Sequence, residues 1–117
     1  MEFKTKDSGK KKSFQSGAYR DIEGNKSAFI LTLPKGMPYD KTMLYRWGKL
    51  MARGAEKYGR RNWEKANSEE ELERFKSSAF RHLMQFLCGV DDGEDHAAAV
   101  MFNLNAHETT KWKIKNG

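Results

Sequence analysis

Cysteine is scarce in this sequence, which contains only Cys88, and a single cysteine cannot form an intramolecular disulfide. The disulfide-stapled folds of small secreted proteins are therefore excluded, and a reducing compartment is the simplest setting. The chain also lacks an apolar run of the roughly 18 to 20 residues that a membrane-spanning helix needs. Its N-terminus lacks the apolar core of a signal peptide. We therefore expect a soluble, cytoplasmic protein that has no membrane partner.

Convincing β-strands are missing as well. Residues 29–33 form a short apolar run, but Pro34 follows it and no second run offers a pairing partner. We therefore expect an extended segment that lies across helices. The 117 residues, 38% of them hydrophobic, suffice for one domain with a modest core. The predicted fold is all-α, a small bundle of three main helices preceded by an extended basic segment.

Positive charge is concentrated at the start of the chain. Six basic and two acidic residues lie in the first 20, which gives this part +4 of the formal net charge of +6. Residues 1–16 are predicted to be a flexible basic arm, and residues 17–117 a single helical domain. The arm either binds an anion such as nucleic acid or only aids solubility, and the lack of a base-specific motif favours the second interpretation.

Apolar periodicity predicts two helices between residues 38 and 89. The first begins near residues 38–40 and ends at Gly59, and its apolar face comprises Met43, Leu44, Trp47, Leu50, Met51 and Ala55. The second begins at Ser68, which forms a capping-box pattern with Glu71, and ends at Gly89. Its second half predicts a buried stripe of Phe80, Leu83, Met84 and Leu87. Three helices leave a wide apolar face open, which favours a homodimer or a higher homo-oligomer.

The third helix follows an acidic turn. Asp92, Glu94 and Asp95 precede or begin its first turn, where free N–H groups and the helix dipole favour carboxylates. His96, Asn103 and His107 fall within about 40° of one another on one helix face. They are either interhelical hydrogen-bond partners or groups that contact a ligand. Because His96 and His107 are roughly 16 Å apart along the axis, they cannot share one zinc ion within a chain.

Three blocks of sequence, in this order, resemble a family found mainly in bacteriophages. The blocks are Gly54-Ala55-x-Lys57-Tyr58-Gly59-x-x-Asn62-Trp63, then Arg81-His82-Leu83, then Glu94-Asp95-His96-x-Ala98-Ala99 with Asn103. The family is described as the N-terminal domain of dATP/dGTP diphosphohydrolases and is similar to the all-α MazG-type nucleotide pyrophosphohydrolases. The opening segment, with Arg20-Asp21 and residues 26–34, extends the resemblance to about residues 17 to 108.

This resemblance implies hydrolysis of a deoxynucleoside triphosphate to a monophosphate and pyrophosphate in the cytoplasm of a phage-infected bacterium. It implies that Mg²⁺, or Mn²⁺, is held by helix carboxylates, for which the candidates are Asp92, Glu94 and Asp95. The candidate catalytic residues are Arg81, His82 and His96. The candidate substrate-binding residues are Lys57, Tyr58, Arg61, Asn62, Trp63 and Asn103, with Tyr58 or Trp63 stacking on the base.

The chain departs from the MazG pattern in its acidic residues. MazG-type sites use Glu-x-x-Glu on one helix and Glu-x-x-Asp on a later one. Here Glu70-x-x-Glu73 has the first spacing, but its acidic surroundings favour a solvated helix start. Relatives often carry Gly-Glu where this chain has Gly89-Val90, so one ligand is either lost or replaced by Asp91 or Asp92. Three functions stay open: a pyrophosphohydrolase, a non-catalytic protein that sequesters a nucleotide, and a nucleic-acid-binding accessory factor.

Overall fold

The computed structural model describes residues 11–13, 17, 19–21 and 27–117. The chain divides into two compact units, residues 1–36 and residues 37–117, and each is described by itself. In the first unit, strands Lys11–Ser13 (β1) and Tyr19–Asp21 (β2) pair in an antiparallel hairpin. The predicted basic arm of residues 1–16 falls mostly outside the described residues and stays a prediction.

The segment that the sequence predicts to be extended is helical instead. Phe29–Thr32 form a short 3₁₀ helix. The Leu31 N–H group donates to the Ala28 carbonyl at 3.0 Å, and the Thr32 hydroxyl donates to the Phe29 carbonyl at 2.7 Å. Such local hydrogen bonds offer the backbone an alternative to the extended conformation. The prediction of an extended segment at residues 29–33 is therefore wrong.

The second unit is helical throughout its regular structure, which confirms the predicted all-α bundle. Its elements are a 3₁₀ turn at Tyr39–Lys41, α1 at Met43–Tyr58, a 3₁₀ turn at Asn62–Lys65, α2 at Glu69–Leu87 and α3 at His96–Asn116. Helix α3 is central because it packs against both α1 and α2, which contact each other little. Within the described part of the chain, no helix combines the length and apolar character needed to cross a membrane.

The start of α2 follows its sequence signal, whereas α1 begins at Met43 and not near residues 38–40, because Tyr39–Lys41 form a separate 3₁₀ turn. Thr42 Oγ1 accepts from the Tyr45 N–H group at 3.2 Å and caps α1. Ser68 Oγ accepts from the Glu71 N–H group at 3.3 Å, and the Glu71 carboxylate accepts from the Asn67 N–H group at 3.0 Å. The Ser68 hydroxyl and the Asn67 N–H group, which bond this carboxylate, lower the pKa of Glu71. The predicted capping box is confirmed.

The end of α2 is a Schellman motif. The Val90 N–H group donates to the Gln85 carbonyl at 2.9 Å, and the Gly89 N–H group donates to the Phe86 carbonyl at 3.1 Å. Gly89 adopts φ 66°, a left-handed conformation that glycine takes without a steric penalty. The predicted stop at Gly89 is confirmed, and the chain is redirected into the acidic turn before α3.

The interior of the helical unit consists of small and polar side chains. Its buried residues are Ala66, Leu72, Ala98, Ala99, Ala106, Thr42, His82, His96, Asn103 and Thr110. Ala98 and Ala106 are completely buried, so the α3 backbone lies close to its neighbours. Leu72 is the largest aliphatic side chain among them. A core of this kind buries little apolar surface per residue.

The predicted buried stripe on α2 is wrong. Phe80, Leu83, Met84 and Leu87 are exposed, by 63%, 40%, 49% and 72% respectively. The helix packs instead through Leu72 and His82, together with Phe75, whose ring meets Phe102 edge-on at a centroid distance of 6.3 Å. The two faces are separated by roughly 120° around the helix. The periodicity identified an apolar face, but that face does not pack within this helical unit.

Removing the α2 cap should lower stability measurably. In Ser68→Ala, the Glu71 N–H group loses its acceptor and the capping box is broken, which costs about 1 kcal/mol. The midpoint of thermal unfolding, followed by circular dichroism, should fall by about 4–8 °C. Ser77→Ala is the matched control, because Ser77 is exposed in the middle of the same helix. Equal midpoints for the two variants would contradict a stabilising role for the cap.

Candidate functional site

A cavity of about 410 Å³ lies where α1, α2 and α3 meet the turn that follows α1. All of the predicted substrate-binding residues line it: Lys57, Tyr58, Arg61, Asn62, Trp63 and Asn103. His82, Glu94 and Asp95 line it as well, whereas Arg81, Asp92 and His96 do not. The structure thus gathers in one place residues that are up to 46 positions apart in the sequence, from Lys57 to Asn103.

The walls and the rim of this cavity differ in character. Trp63 and Phe102 meet edge-on on one wall, with ring centroids 6.0 Å apart, and Leu50 and Met51 of α1 add apolar surface. Three exposed basic side chains surround the opening: Arg53, Lys57 and Arg61. Apolar and aromatic walls with a few polar groups are typical of small-molecule sites. A ligand with a flat apolar part and a negative charge would match both regions.

The turn between α1 and the following 3₁₀ turn is held by one local contact and by one contact from α3. Arg61 adopts φ 61° and ψ 18°, a left-handed conformation that is uncommon for a residue other than glycine. Its guanidinium donates to the Glu64 carboxylate at 2.8 Å, and the Glu64 carbonyl accepts from Lys113 of α3. Strained backbone of this kind clusters at functional sites. The turn therefore presents Arg61, Asn62 and Trp63 to the cavity from a defined position.

Two buried histidines connect α2 to α3 beside the cavity. His82 Nδ1 lies 2.9 Å from His96 Nδ1, and His96 Nε2 lies 2.9 Å from Asp92 Oδ1. Because an ionised carboxylate can only accept, His96 donates from Nε2 and accepts at Nδ1. His82 then donates from Nδ1 and keeps a lone pair on Nε2, which faces the Arg81 guanidinium at 3.4 Å. The chain of contacts runs from Arg81 through the two imidazoles to Asp92.

The protonation states at this chain are set by its surroundings. Burial, followed by the positive charge of Arg81, lowers the pKa of His82. The N–H group of Glu94, which donates to Asp92 at 3.1 Å, and the His96 ring both lower the pKa of Asp92. At neutral pH, His82 is therefore unprotonated at Nε2 and Asp92 is ionised.

The residues that could hold a cation overlap only in part with the predicted set. Ligand atoms of Asp92, Glu94 and His96 lie within 4.8 Å of one another. Two carboxylates suit Mg²⁺, and an added imidazole nitrogen suits Mn²⁺ better. The donor set is therefore chemically compatible with the divalent cation that the sequence analysis predicts. His96, predicted as catalytic, lies with the predicted metal ligands Asp92 and Glu94.

Asp95, the third predicted metal ligand, is engaged elsewhere. Arg46 Nε donates to its Oδ2 at 2.7 Å and the Arg46 NH2 group donates to its Oδ1 at 2.6 Å. Asp95 Oδ1 also accepts from the Ala98 N–H group at 3.1 Å and caps α3. The Arg46 guanidinium holds the pKa of Asp95 below its usual range, and Asp95 raises the pKa of Arg46. The sequence analysis missed Arg46, because 49 residues separate it from Asp95 and no local motif links them.

The three polar residues predicted to share one face of α3 differ in burial. His96 and Asn103 are buried, and Asn103 Nδ2 donates to the Ala99 carbonyl at 2.8 Å. His107 is only partly buried and its Nδ1 lies 3.1 Å from Glu108 Oε2. His107 lies outside the cavity lining. Of the three residues predicted to share a face, only Asn103 lines the cavity. His96 does not line the cavity, but it contacts His82, which does.

Comparison with known proteins identifies the family. Residues 26–116 match the family model described as dATP/dGTP diphosphohydrolase, N-terminal, and this segment includes every residue of the cavity. The chain belongs to this family. The resemblance carried by the three sequence blocks is thereby confirmed. Searches of curated proteins and of solved structures gave no match. Membership of the family implies a nucleotide substrate and a hydrolase that uses a divalent metal.

The Arg46–Asp95 pair should make stability depend on pH in one direction. Because the folded-state pKa of Asp95 lies below its unfolded value of about 3.9, the pair stabilises the fold above that pH and is lost as pH falls through the folded-state pKa. Both side chains are partly exposed, by 41% and 30%, so Arg46→Met should cost on the order of 1 kcal/mol at pH 7.

Urea unfolding of wild type and Arg46→Met between pH 7 and pH 2.5 tests this dependence. The difference in unfolding free energy should be largest at neutral pH and should shrink below about pH 4. Lys49→Met is the control, since Lys49 is exposed one turn further along α1. A difference that stayed constant across this range would show that the lost stability does not come from the ionised carboxylate of Asp95.

Proposed function

We propose that the cavity binds a purine deoxynucleoside triphosphate and that the protein hydrolyses it to a monophosphate and pyrophosphate. The observation that carries this proposal is the convergence of the family's sequence blocks on one cavity. The cavity is lined by Lys57, Tyr58, Gly59, Asn62 and Trp63 from the first block, His82 from the second, and Glu94, Asp95 and Asn103 from the third. A volume of about 410 Å³ falls within the range of small-molecule pockets, roughly 300–1,000 Å³.

Shape and charge of the cavity support a nucleotide as the ligand. The aromatic wall of Trp63 and the exposed ring of Tyr58 offer surfaces on which a flat base can stack. Lys57 and Arg61 at the rim supply positive charge for phosphate oxygens. Lys57 Nζ also lies 5.2 Å from the centroid of the Tyr58 ring, so the cation and the stacking surface form one unit.

Asp92 and Glu94 are the residues that would hold a divalent cation; His96 lies beside them, but its two ring nitrogens already bond Asp92 and His82. A cation bound there would neutralise phosphate charge and lower the pKa of bound water. Glu94 is the member of this cluster that lines the cavity, so it connects the cation site with the substrate site. In this proposal Asp95 is not a ligand, because Arg46 already bonds both of its carboxylate oxygens.

His82 is the residue that we assign to proton transfer. Its Nε2 lone pair is engaged only by a long contact of 3.4 Å from Arg81, and burial and Arg81 lower the pKa of the ring. Its Nδ1–H is fixed by the bond to His96, which in turn is fixed by Asp92. A positioned base of this kind can take the proton of the water that attacks the α-phosphorus, while pyrophosphate leaves. Arg81 does not line the cavity. Its guanidinium faces His82 Nε2, and its positive charge acts by lowering the pKa of that ring.

Turnover with matched carboxamide variants tests the cluster. Wild type with dATP or dGTP and Mg²⁺ or Mn²⁺ should form monophosphate and pyrophosphate, which ion-exchange chromatography separates. Glu94→Gln removes the ligand that lines the cavity and should reduce turnover by about 10² to 10³-fold. Asp91→Asn is the control, because Asp91 is an exposed neighbour outside the cluster.

Three results would contradict parts of this proposal. Equal loss in both variants would point to a general need for negative charge in the acidic turn. Full activity of Glu94→Gln would remove Glu94 from the chemistry. Recovery of intact nucleotide, bound but uncleaved after long incubation with metal, would favour a sequestering protein over an enzyme.

We also propose that the exposed stripe of Phe80, Leu83, Met84 and Leu87 is covered by the same stripe of a second copy. Four large apolar side chains at helical spacing form a continuous face, and exposed faces of this kind mark interaction sites. On the same side of α2, Lys76 Nζ lies 3.4 Å from Glu73 Oε1, so the charges beside the stripe neutralise each other. A two-fold interface would therefore bring together apolar surface without like-charge repulsion.

Charge placed in the stripe should separate the copies. Leu83→Glu should shift the wild-type dimer to a monomer in sedimentation velocity at micromolar concentration, because a dimer would bury two unpaired carboxylates. Leu104→Glu is the matched control, since Leu104 is an exposed leucine of α3 that lies outside the stripe. A monomeric wild type, or dissociation of both variants alike, would overturn this interface.

A further inference from the structure

The amide of Asn103 is oriented by its own helix. Its Nδ2 group donates to the Ala99 carbonyl at 2.8 Å, one turn earlier in α3. The opposite orientation would place the amide oxygen against that carbonyl oxygen, and two acceptors repel each other. One N–H of the amide is therefore committed to the backbone, and the orientation of the amide is fixed with the oxygen Oδ1 at its other end.

Among residues 27–117 this oxygen is an acceptor without a donor. None of the residues 27–117, whose side chains the structure describes, donates a hydrogen bond to Asn103 Oδ1. Asn103 is only 5% exposed, yet Oδ1 does not belong to the fully enclosed polar atoms that lack a partner. Asn103 lines the cavity, so the ligand space is the place from which a donor can reach this side chain. A nearly buried carbonyl is thus directed at the ligand space.

The chemistry of this atom restricts what it can bind. A carbonyl oxygen accepts hydrogen bonds and cannot donate them, so phosphate oxygens, which also only accept, are excluded as partners. The donors of a nucleotide lie on its nucleoside part. Guanine alone has a ring N1–H, so the donors that dATP and dGTP share are an exocyclic amine of the base and the hydroxyl of the sugar. Phe102, next to Asn103 in the sequence, and Trp63 supply the aromatic surface beside it.

We propose that Asn103 Oδ1 accepts a hydrogen bond from a nucleoside donor, either the base amine or the sugar hydroxyl, and so determines specificity for the nucleoside. This inference rests on the proposed function, because it requires that the cavity binds a nucleotide. It also orients the ligand: the nucleoside lies at Asn103, and the phosphates lie away from it. A ligand that lacks the donor leaves a nearly buried acceptor unpaired, which is the strongest basis for discrimination that a site can offer.

The test couples deletion of a ligand group to deletion of the side chain. The probes are α,β-methylene analogues of nucleoside triphosphates, which resist cleavage. Comparing dATP with the purine deoxynucleotide removes the 6-amino group, and comparing dGTP with dITP removes the 2-amino group. Comparing dATP with 2′,3′-dideoxy-ATP removes the sugar hydroxyl. Each analogue is titrated by calorimetry, with Mg²⁺ present, into wild type, Asn103→Ala and Asn103→Leu. Asn105→Ala is the matched control, because Asn105 is two residues away on α3 and outside the cavity lining.

The expected result is a coupled loss. When the ligand lacks the donor that bonds Asn103, its affinity for wild type and for Asn105→Ala should fall about ten-fold. Its affinity for Asn103→Ala should change by less than about two-fold. Loss with the purine or dITP analogue assigns the base amine, and loss with the dideoxy analogue assigns the sugar hydroxyl. A cooperative thermal unfolding transition shows that a variant is folded. If Asn103→Ala is not folded, Asn103→Leu replaces it in the comparison, because leucine preserves the side-chain volume.

Two results would overturn the inference, and they differ. If wild type binds the analogues but each ligand deletion weakens wild type and Asn103→Ala equally, Asn103 does not read the nucleoside and the proposed function survives. If wild type binds none of the analogues with Mg²⁺, the proposed function fails and this inference fails with it.

Discussion

The buried hydrogen bond between His82 and His96 is the interaction on which both the bundle and its cavity depend. It joins α2 to α3 at 2.9 Å in a place where most small domains would have two aliphatic side chains. Polar groups removed from water cost about 1–3 kcal/mol each when unpaired, so the pair is stable only because its outer nitrogens also have partners. Asp92 satisfies one end and Arg81 faces the other. The need to satisfy this pair places a carboxylate and a guanidinium on either side of two histidines, of which His82 lines the cavity.

The polar interior has a consequence for the rest of the unit. Alanines allow α3 to approach its neighbours closely, and His82, His96 and Asn103 occupy positions that would otherwise bury apolar area. At these positions the interior of one chain buries little apolar area. The α2 stripe remains outside this interior with Phe80 and Leu87 more than half exposed. A second copy that covers the stripe would supply the apolar burial that the interior of a single chain lacks.

Local features of the fold were predictable and long-range features were not. The caps at Ser68 and Gly89 depend on neighbours within a few residues, so their sequence signals sufficed. The apolar face of α2 was identified by its period, but periodicity carries no information about whether the covering surface belongs to the same chain. At residues 29–33, a local hydroxyl and backbone hydrogen bonds overrode the apolar run. Propensity for an extended conformation is weak against such bonds.

The candidate site shows the same division. The three sequence blocks predicted the substrate-binding residues from Lys57 to Asn103, all of which line the cavity. They could do so because the resemblance to the family links residues that lie far apart in the sequence. They did not reveal Arg46, whose partner Asp95 is 49 residues away, and so they counted Asp95 among the metal ligands.

The capture of Asp95 by Arg46 changes the electrostatics of the cavity. An unpaired Asp95 would add a negative charge to the wall that an anionic nucleotide must approach, beside Glu94. The bidentate guanidinium cancels that charge, and among these two lining carboxylates it leaves Glu94 free to meet a cation. Asn103, about 10 Å further along α3, presents an uncharged acceptor instead. The helix thus offers negative charge at its start and a neutral acceptor two turns later, which suits a molecule with cation-bound phosphates at one end and a nucleoside at the other.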